Sequence, residues 1–129
     1  MSRDIPVGNG TFLITFDRDY CLRDIYYPCA GKENHSGGHK FRFGVWVDGR
    51  FSWVHEGWDL KLEYADDSLL THVTATNESL GIALHCNDVV DYRENVYIRK
   101  IILKDLTGSA REFRLFFHHD FHILETAAV

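Results

Sequence analysis

The sequence is poor in several features, and each shortage narrows its chemistry. Three cysteines occur in 129 residues, Cys21, Cys29 and Cys86, with no CxxC and no close pair. An odd, scattered count predicts free thiols in a reducing compartment, and hence a cytoplasmic chain. No run approaches the roughly 20 apolar residues of a membrane span, so no membrane partner is expected. The opening Met-Ser-Arg-Asp-Ile-Pro has no apolar segment of the kind that a secretory signal carries. Basic runs are missing too. With a net charge of −5 and scattered Lys and Arg, the chain lacks the footprint that a nucleic-acid backbone requires. Gly8, Gly10, Gly37 and Gly38 form no phosphate-binding pattern, and no serine lies in a GxSxG elbow.

Aromatic residues are plentiful: nine Phe, six Tyr and three Trp make up 14% of the chain, a composition that suits half-buried pleated surfaces. Helical periodicity is almost absent, whereas period-two alternation runs nearly throughout. Thr11 to Phe16 places Phe12, Ile14 and Phe16 on one face. Asp17-Arg18-Asp19 reads as a turn, and Tyr20 to Tyr27 returns as a strand ended by Pro28. Cys29 to His39 is polar, Gly-rich and long enough for a role beyond connection. Phe41 to Val47 and Phe51 to Val54 flank Asp48-Gly49, the dipeptide that a type I′ hairpin favours. That turn pairs Val47 with Arg50, Trp46 with Phe51 and Val45 with Ser52. It gathers Trp46, Phe51 and Trp53 on one side and Phe41, Phe43, Val45 and Val47 on the other.

Further along, Trp58, Leu60, Leu62 and Tyr64 alternate with polar residues. Leu69, Thr71, Val73 and Ala75 lead through a turn at Asn77-Glu78 to Leu80, Ile82, Leu84 and Cys86. Between Asn95 and Leu106 the apolar parity changes, which predicts a β-bulge near Arg99 or burial on both faces. Phe113, Leu115, Phe117 and Phe121 share a face opposite Arg114, His118, Asp120 and His122. About eight to ten short strands joined by tight turns predict one all-β domain over residues 1–129, an antiparallel sandwich or barrel. The chain stops after Ile123-Leu124-Glu125-Thr126-Ala127-Ala128-Val129 with no closing turn, which suggests a truncated fragment.

The densest cluster of chemistry-bearing residues is His118-His119-Asp120-Phe121-His122. On a strand, His118, Asp120 and His122 project to one side and could hold zinc or another metal. Strand neighbours two apart stand roughly 6.5–7 Å from one another, wide for ligands of one ion. The simpler reading is a polar face, and neither metal nor cofactor is assigned. Asn34 and His35, in the long loop, are candidate binding or interface groups. Trp46, Trp53 and Trp58 have two readings, sugar-stacking platforms or core and interface, and their alternation within apolar strands favours the second. No pair stands out among Asp24, Glu33, Asp88, Asp91 and Asp120, although a glycosidase needs two carboxylates held across a sugar.

Five separated motifs carry a resemblance that spans essentially the whole chain. They are Arg3-Asp4-Ile5-Pro6-Val7-Gly8-Asn9-Gly10, Tyr26-Tyr27-Pro28 through Glu33-Asn34-His35, Phe41-Arg42-Phe43-Gly44-Val45-Trp46-Val47-Asp48-Gly49, Glu94-Asn95-Val96-Tyr97-Ile98-Arg99, and Phe116-Phe117-His118-His119-Asp120-Phe121. In order, they resemble the N-terminal domain of prokaryotic glycoside hydrolase family 15 proteins, the bacterial and archaeal glucoamylases and glucodextranases. The resemblance implies an antiparallel β-sandwich of the galactose-mutarotase-like supersandwich type. It also implies a following (α/α)6 barrel that hydrolyses α-glucosidic bonds of starch- or dextran-like glucans with inversion, using two Glu residues outside this chain. The resemblance thus implies a non-catalytic chain that supports the barrel; in that reading the Asn34–His35 loop and the His118, Asp120 and His122 face are our candidates for the domain interface or substrate entrance. The alternative is an independent carbohydrate-binding module working through Trp46, Trp53 or Trp58. Family members have a longer domain here, so missing strands would leave open edges through which the chain could form a homo-oligomer.

Overall fold

A computed structural model describes residues 5–65 and 70–124. The expectations placed on Arg3, Asp4, Leu69 and residues 125–129 lie outside the described residues. Ten strands follow in chain order: β1 (Ile5–Gly8), β2 (Leu13–Phe16), β3 (Leu22–Tyr26), β4 (Arg42–Val47), β5 (Arg50–Trp53), β6 (Asp59–Tyr64), β7 (Thr71–Asn77), β8 (Ile82–Val90), β9 (Tyr97–Asp105) and β10 (Phe113–His118). No helix occurs among the described residues. The strands form three antiparallel sheets in the orders β1-β2-β3, β10-β4-β5 and β6-β7-β8-β9. They pack as a sandwich rather than a closed barrel.

The core gathers the inward residues of all three sheets: Ile14 and Phe16 from β2, Phe43, Val45 and Val47 from β4, and Ile82, Leu84 and Cys86 from β8 are each at most 2% exposed. Fully burying one such side chain contributes about 1.5–3 kcal/mol. The alternation expected for β4, β7 and β8 is present, and the hairpin register Val47↔Arg50, Trp46↔Phe51, Val45↔Ser52 is the one that a two-residue loop dictates. Asp48 and Gly49 both take positive φ, 51° and 73°, as a type I′ turn requires. On the outer face of β4, the Phe51 ring lies across Gly44, where an added Cβ would come within 2.5 Å of it.

Three expectations are corrected. The β8–β9 register runs unbroken from Ile82↔Asp105 to Val90↔Tyr97, so no bulge occurs at Arg99. Nor is β9 buried on both faces, because Ile98 and Ile102 are 48% and 47% exposed. Its alternation is regular, with Tyr97, Arg99, Ile101 and Leu103 facing inward; the apolar residues of opposite parity simply face out. A bulge occurs instead between β2 and β3, where Thr15↔Asp24 is followed by Phe16↔Leu22 and Arg23 is the extra residue.

The third correction concerns the C-terminal run. β10 ends at His118, opposite Arg42 at the start of β4. β4 begins at Arg42, so the ladder has no further strand residue to pair with; Phe41, just before it, exchanges hydrogen bonds with Leu22 at 2.9 and 3.1 Å along the edge that continues the β5 side. Residues 119–124 therefore leave the sheet. His118, Asp120 and His122 do not form one strand face.

Candidate functional site

The chain leaving β10 crosses back to the long loop after β3. Asn34 braces that loop. Its side-chain oxygen accepts from the Ile25 amide at 3.0 Å, the Ser36 amide at 3.1 Å and the Ser36 hydroxyl at 2.8 Å, while its amide donates to Asp24 at 2.8 Å. Asx-type bonding of this kind fixes a loop without a sheet ladder. His35 is 8% exposed and works as a clamp. Its Nδ1 accepts from the Leu124 amide at 3.0 Å, so the proton sits on Nε2, which donates to the Tyr27 carbonyl at 2.8 Å. The His35 carbonyl in turn accepts from the His122 amide at 2.7 Å. An open apolar cleft of about 350 Å³ runs beside the clamp, lined by Phe12, Ile25, Tyr27, His35, Phe121 and Ile123.

At the rim of this junction Asp120 lies between two histidines. One carboxylate oxygen is 2.9 Å from His122 Nε2 and the other 3.3 Å from His39 Nδ1. The two imidazoles stack with centroids 4.3 Å apart and planes 15° from parallel. Gly37 makes this approach possible: at φ 59° it carries no Cβ, and one placed there would meet His122 Cβ at 2.8 Å. Thus Asp120 and His122 come together, but their third member is His39, not His118. His118 stays exposed at the end of β10.

The three tryptophans part ways. Trp58 is 8% exposed in the core cluster, and its Nε1 donates to Ser52 Oγ at 2.9 Å, so no ring face is left for a sugar. Trp46 and Trp53 are half-buried on the outer face of the β10-β4-β5 sheet, where Arg114 sits 4.7 Å over the first ring and Arg42 4.2 Å over the second. Phe51 and Phe116, 44% and 46% exposed, continue this aromatic surface.

A second cluster was invisible as a motif. Asp88 is fully buried and accepts from the Tyr20 and Tyr97 hydroxyls, from Thr71 Oγ1 at 3.0 Å and from Arg99 Nε at 2.8 Å. The Arg99 guanidinium lies within 5.7 Å of the ring centres of Phe16, Tyr20, Phe43 and Tyr97. Burial raises the Tyr20 and Tyr97 pKa values well above the ordinary phenol value, although Arg99 opposes the shift. Burial also works against the Arg99 charge, but Tyr20, Tyr97 and Asp88 together outweigh it and raise the Arg99 pKa. This arrangement consumes the Asp88 carboxylate in holding the sandwich together. The signal was parity alone: Asp88 occupies an inward position in the series Ile82, Leu84, Cys86, and Arg99 one in the series Ile101, Leu103.

No protein-family model matches the chain, and no curated protein does. Among solved structures, a bacterial glucoamylase in complex with acarbose is similar, with a TM-score of 0.73 and 21% identity. The similarity covers 89% of this chain and 17% of that enzyme's chain. At this identity it shows the fold: an antiparallel β-sandwich shared with an all-β portion of that enzyme. The chain thus spans about a sixth of the length of the enzyme it is similar to.

Proposed function

We propose that the chain is a non-catalytic N-terminal sandwich of a family 15 glycoside hydrolase, of the supersandwich type. In this reading it packs against an (α/α)6 barrel that hydrolyses α-glucosidic bonds of starch- or dextran-like glucans with inversion. The observation that carries the proposal is the fold likeness to part of a bacterial glucoamylase over 89% of this chain. The chain's own chemistry agrees with a supporting role. Asp88 is taken up by Tyr20, Tyr97, Thr71 and Arg99, and Asp24 by Thr15, Arg23 and Asn34. Inward-facing Leu115 and Phe117 on β10 are 38% and 47% exposed, apolar surface suited to a covering domain. Edge strands that have no further partner among the described residues give a route to homo-oligomers, and the free thiols fit a cytoplasmic setting. The Asn34–His35 junction and the neighbouring Asp120–His122 segment, with His118, are the proposed interface or entrance.

The test is a pull-down and activity assay that combines the purified chain with the polypeptide encoded downstream of it. The expected result is a stable complex that releases glucose from maltooligosaccharides, while the chain alone releases none. Glucose release by the chain alone would overturn the reading.

A second reading, an independent carbohydrate-binding module, is favoured by one observation: the half-exposed Trp46 and Trp53 on an aromatic outer face. Calorimetry with maltooligosaccharides and isomaltooligosaccharides separates the two. Binding by the isolated chain that disappears in Trp53→Ala supports the module, and absence of heat supports the packing role.

A further inference from the structure

The packing of residues 120–124 onto the loop after β3 creates a donor set that neither segment has alone. We propose that His39, Asp120 and His122 form a binding site for a divalent transition metal, best matched to zinc, that staples the segment after β10 to the 34–39 loop.

The donors are two imidazoles and one carboxylate, with their ligand atoms all within 4.8 Å of one another. Two donors each about 2.1 Å from a tetrahedral ion stand about 3.4 Å apart. His122 Nε2 stands 2.9 Å from one Asp120 oxygen and His39 Nδ1 3.3 Å from the other, each close to that edge length, so an ion seated between the imidazoles meets either oxygen or both. Imidazole nitrogen with carboxylate oxygen suits zinc and its neighbours, whereas magnesium and calcium call for an all-oxygen shell. Three protein donors leave a fourth tetrahedral position for water.

The backbone under the site is held independently of any ion. The His122 amide donates to the His35 carbonyl at 2.7 Å, the His39 amide donates to the Ser36 carbonyl at 2.9 Å, and Asn34 pins the intervening turn. Gly37 lets His122 come close enough to reach across. One movement is required. The imidazoles are stacked within 15° of parallel, and both lone pairs must converge on one point, so the rings must splay from a stack into a V. The His39 and His122 side chains are 55% and 44% exposed, so this rotation moves into solvent rather than into packed neighbours. The site is independent of the glucosidase reading.

The experiment uses the whole 129-residue chain, stripped with EDTA and confirmed as β-structured by circular dichroism. It is titrated with Co2+, followed by its visible d–d absorption, and then with Zn2+ as competitor. The expected result is one Co2+ per chain, displaced by Zn2+, with a thermal midpoint raised by several degrees at about 100-fold excess over the Kd. His39→Ala, His39→Gln, His122→Ala and Asp120→Asn each weaken zinc binding at least ~10-fold. His118→Ala and Cys29→Ser, outside the donor set, bind as the parent does. A folded parent chain without one-to-one binding overturns the site and leaves a hydrogen-bonded His–Asp–His chain. So does binding that survives in both His39→Gln and His122→Ala.

Discussion

Asp88 and Arg99 are register partners on β8 and β9, and their charges meet at 2.8 Å inside the sandwich. The carboxylate is fully buried and the Arg99 side chain 15% exposed, so each charge depends on the other and on the two phenols for its solvation. Removing one member of such a pair is far more costly than replacing both, because the survivor remains buried without a counter-charge. Asp88→Ala is expected to cost about 3–5 kcal/mol. The double variant Asp88→Leu/Arg99→Met is expected to recover the part of that loss that comes from stranding the Arg99 charge, while the Tyr20, Tyr97 and Thr71 hydroxyls still lack their acceptor. Urea midpoints of the parent, Asp88→Ala, Asp88→Leu, Arg99→Met and the double variant check this. A double variant no better than Asp88→Leu would show that the stranded Arg99 charge is not the source of the loss.

The Asp88–Arg99 pair belongs to no local sequence motif. Alternation assigns faces, and on β8 and β9 it places Asp88 and Arg99 inward, but a charged residue at an inward position carries no signature of its partner. Tyr97 lies two residues before Arg99 on the same face of β9, but Tyr20 comes from elsewhere in the chain and reaches Asp88 from a turn where it takes φ 63°. Local chemistry was legible where it is self-contained: the Asp48-Gly49 hairpin, and the alternating faces of β4, β7 and β8. The His118/Asp120/His122 face misled because period-two counting assumes that a strand continues, and continuation depends on a partner. β4 starts only at Arg42, β10 therefore loses its ladder at His118, and the next residues find His39 in a loop distant in sequence. The apparent parity change in β9 had a similar origin: Ile98 and Ile102 are apolar and exposed, which pattern reading counts as buried.

The three thiols should differ sharply in reactivity. Cys86 is fully buried and its pKa is pushed up to about 11, by burial first. Cys21, 4% exposed, is likewise raised to about 11 by burial and then by Asp17. Cys29 is exposed on the loop after β3. Since the thiolate is the reactive form, Ellman's reagent at neutral pH should label one thiol rapidly in the folded chain and three in guanidinium. Fast labelling that persists in Cys29→Ser would contradict the burial of the other two.

Acid should loosen the end of the sandwich where Arg111 sits. Arg111 donates to Asp48 at 3.0 Å, to Asp105 at 2.7 Å and to the carbonyls of Leu80 and Gly81, tying three turns together. Asp105 is held at about 2, chiefly by the Arg111 hydrogen bond and next by the Thr107 amide. A depressed carboxylate stabilises the fold fully above its unfolded value of about 3.9, and that contribution fades as pH falls towards the folded value. The difference in urea midpoint between the parent and Asp105→Asn should therefore be constant from about pH 5 to 7 and shrink between about 4 and 2. A difference independent of pH would show that Asp105 acts through packing alone.

Gly37 combines two demands that no other residue type meets. Its φ of 59° lies in the left-handed region, where a side chain costs about 1–2 kcal/mol. The direction in which a Cβ would point is already occupied by His122, at 2.8 Å from its Cβ and 2.9 Å from its Cγ. Gly37→Ala must push His122 away, and with it the amide that donates to the His35 carbonyl. The stability loss should be about 1–3 kcal/mol, at the upper end because strain and steric conflict act together. Gly38, at φ 83° with open space around it, is the control: Gly38→Ala meets the backbone cost without the collision. Urea midpoints give the stability difference between the two variants, and amide exchange at Leu124 and His122 reports the opening of the clamp. Faster exchange is expected in Gly37→Ala and near-parent exchange in Gly38→Ala. Equal exchange in the two would mean that His122 is not held by its approach to Gly37.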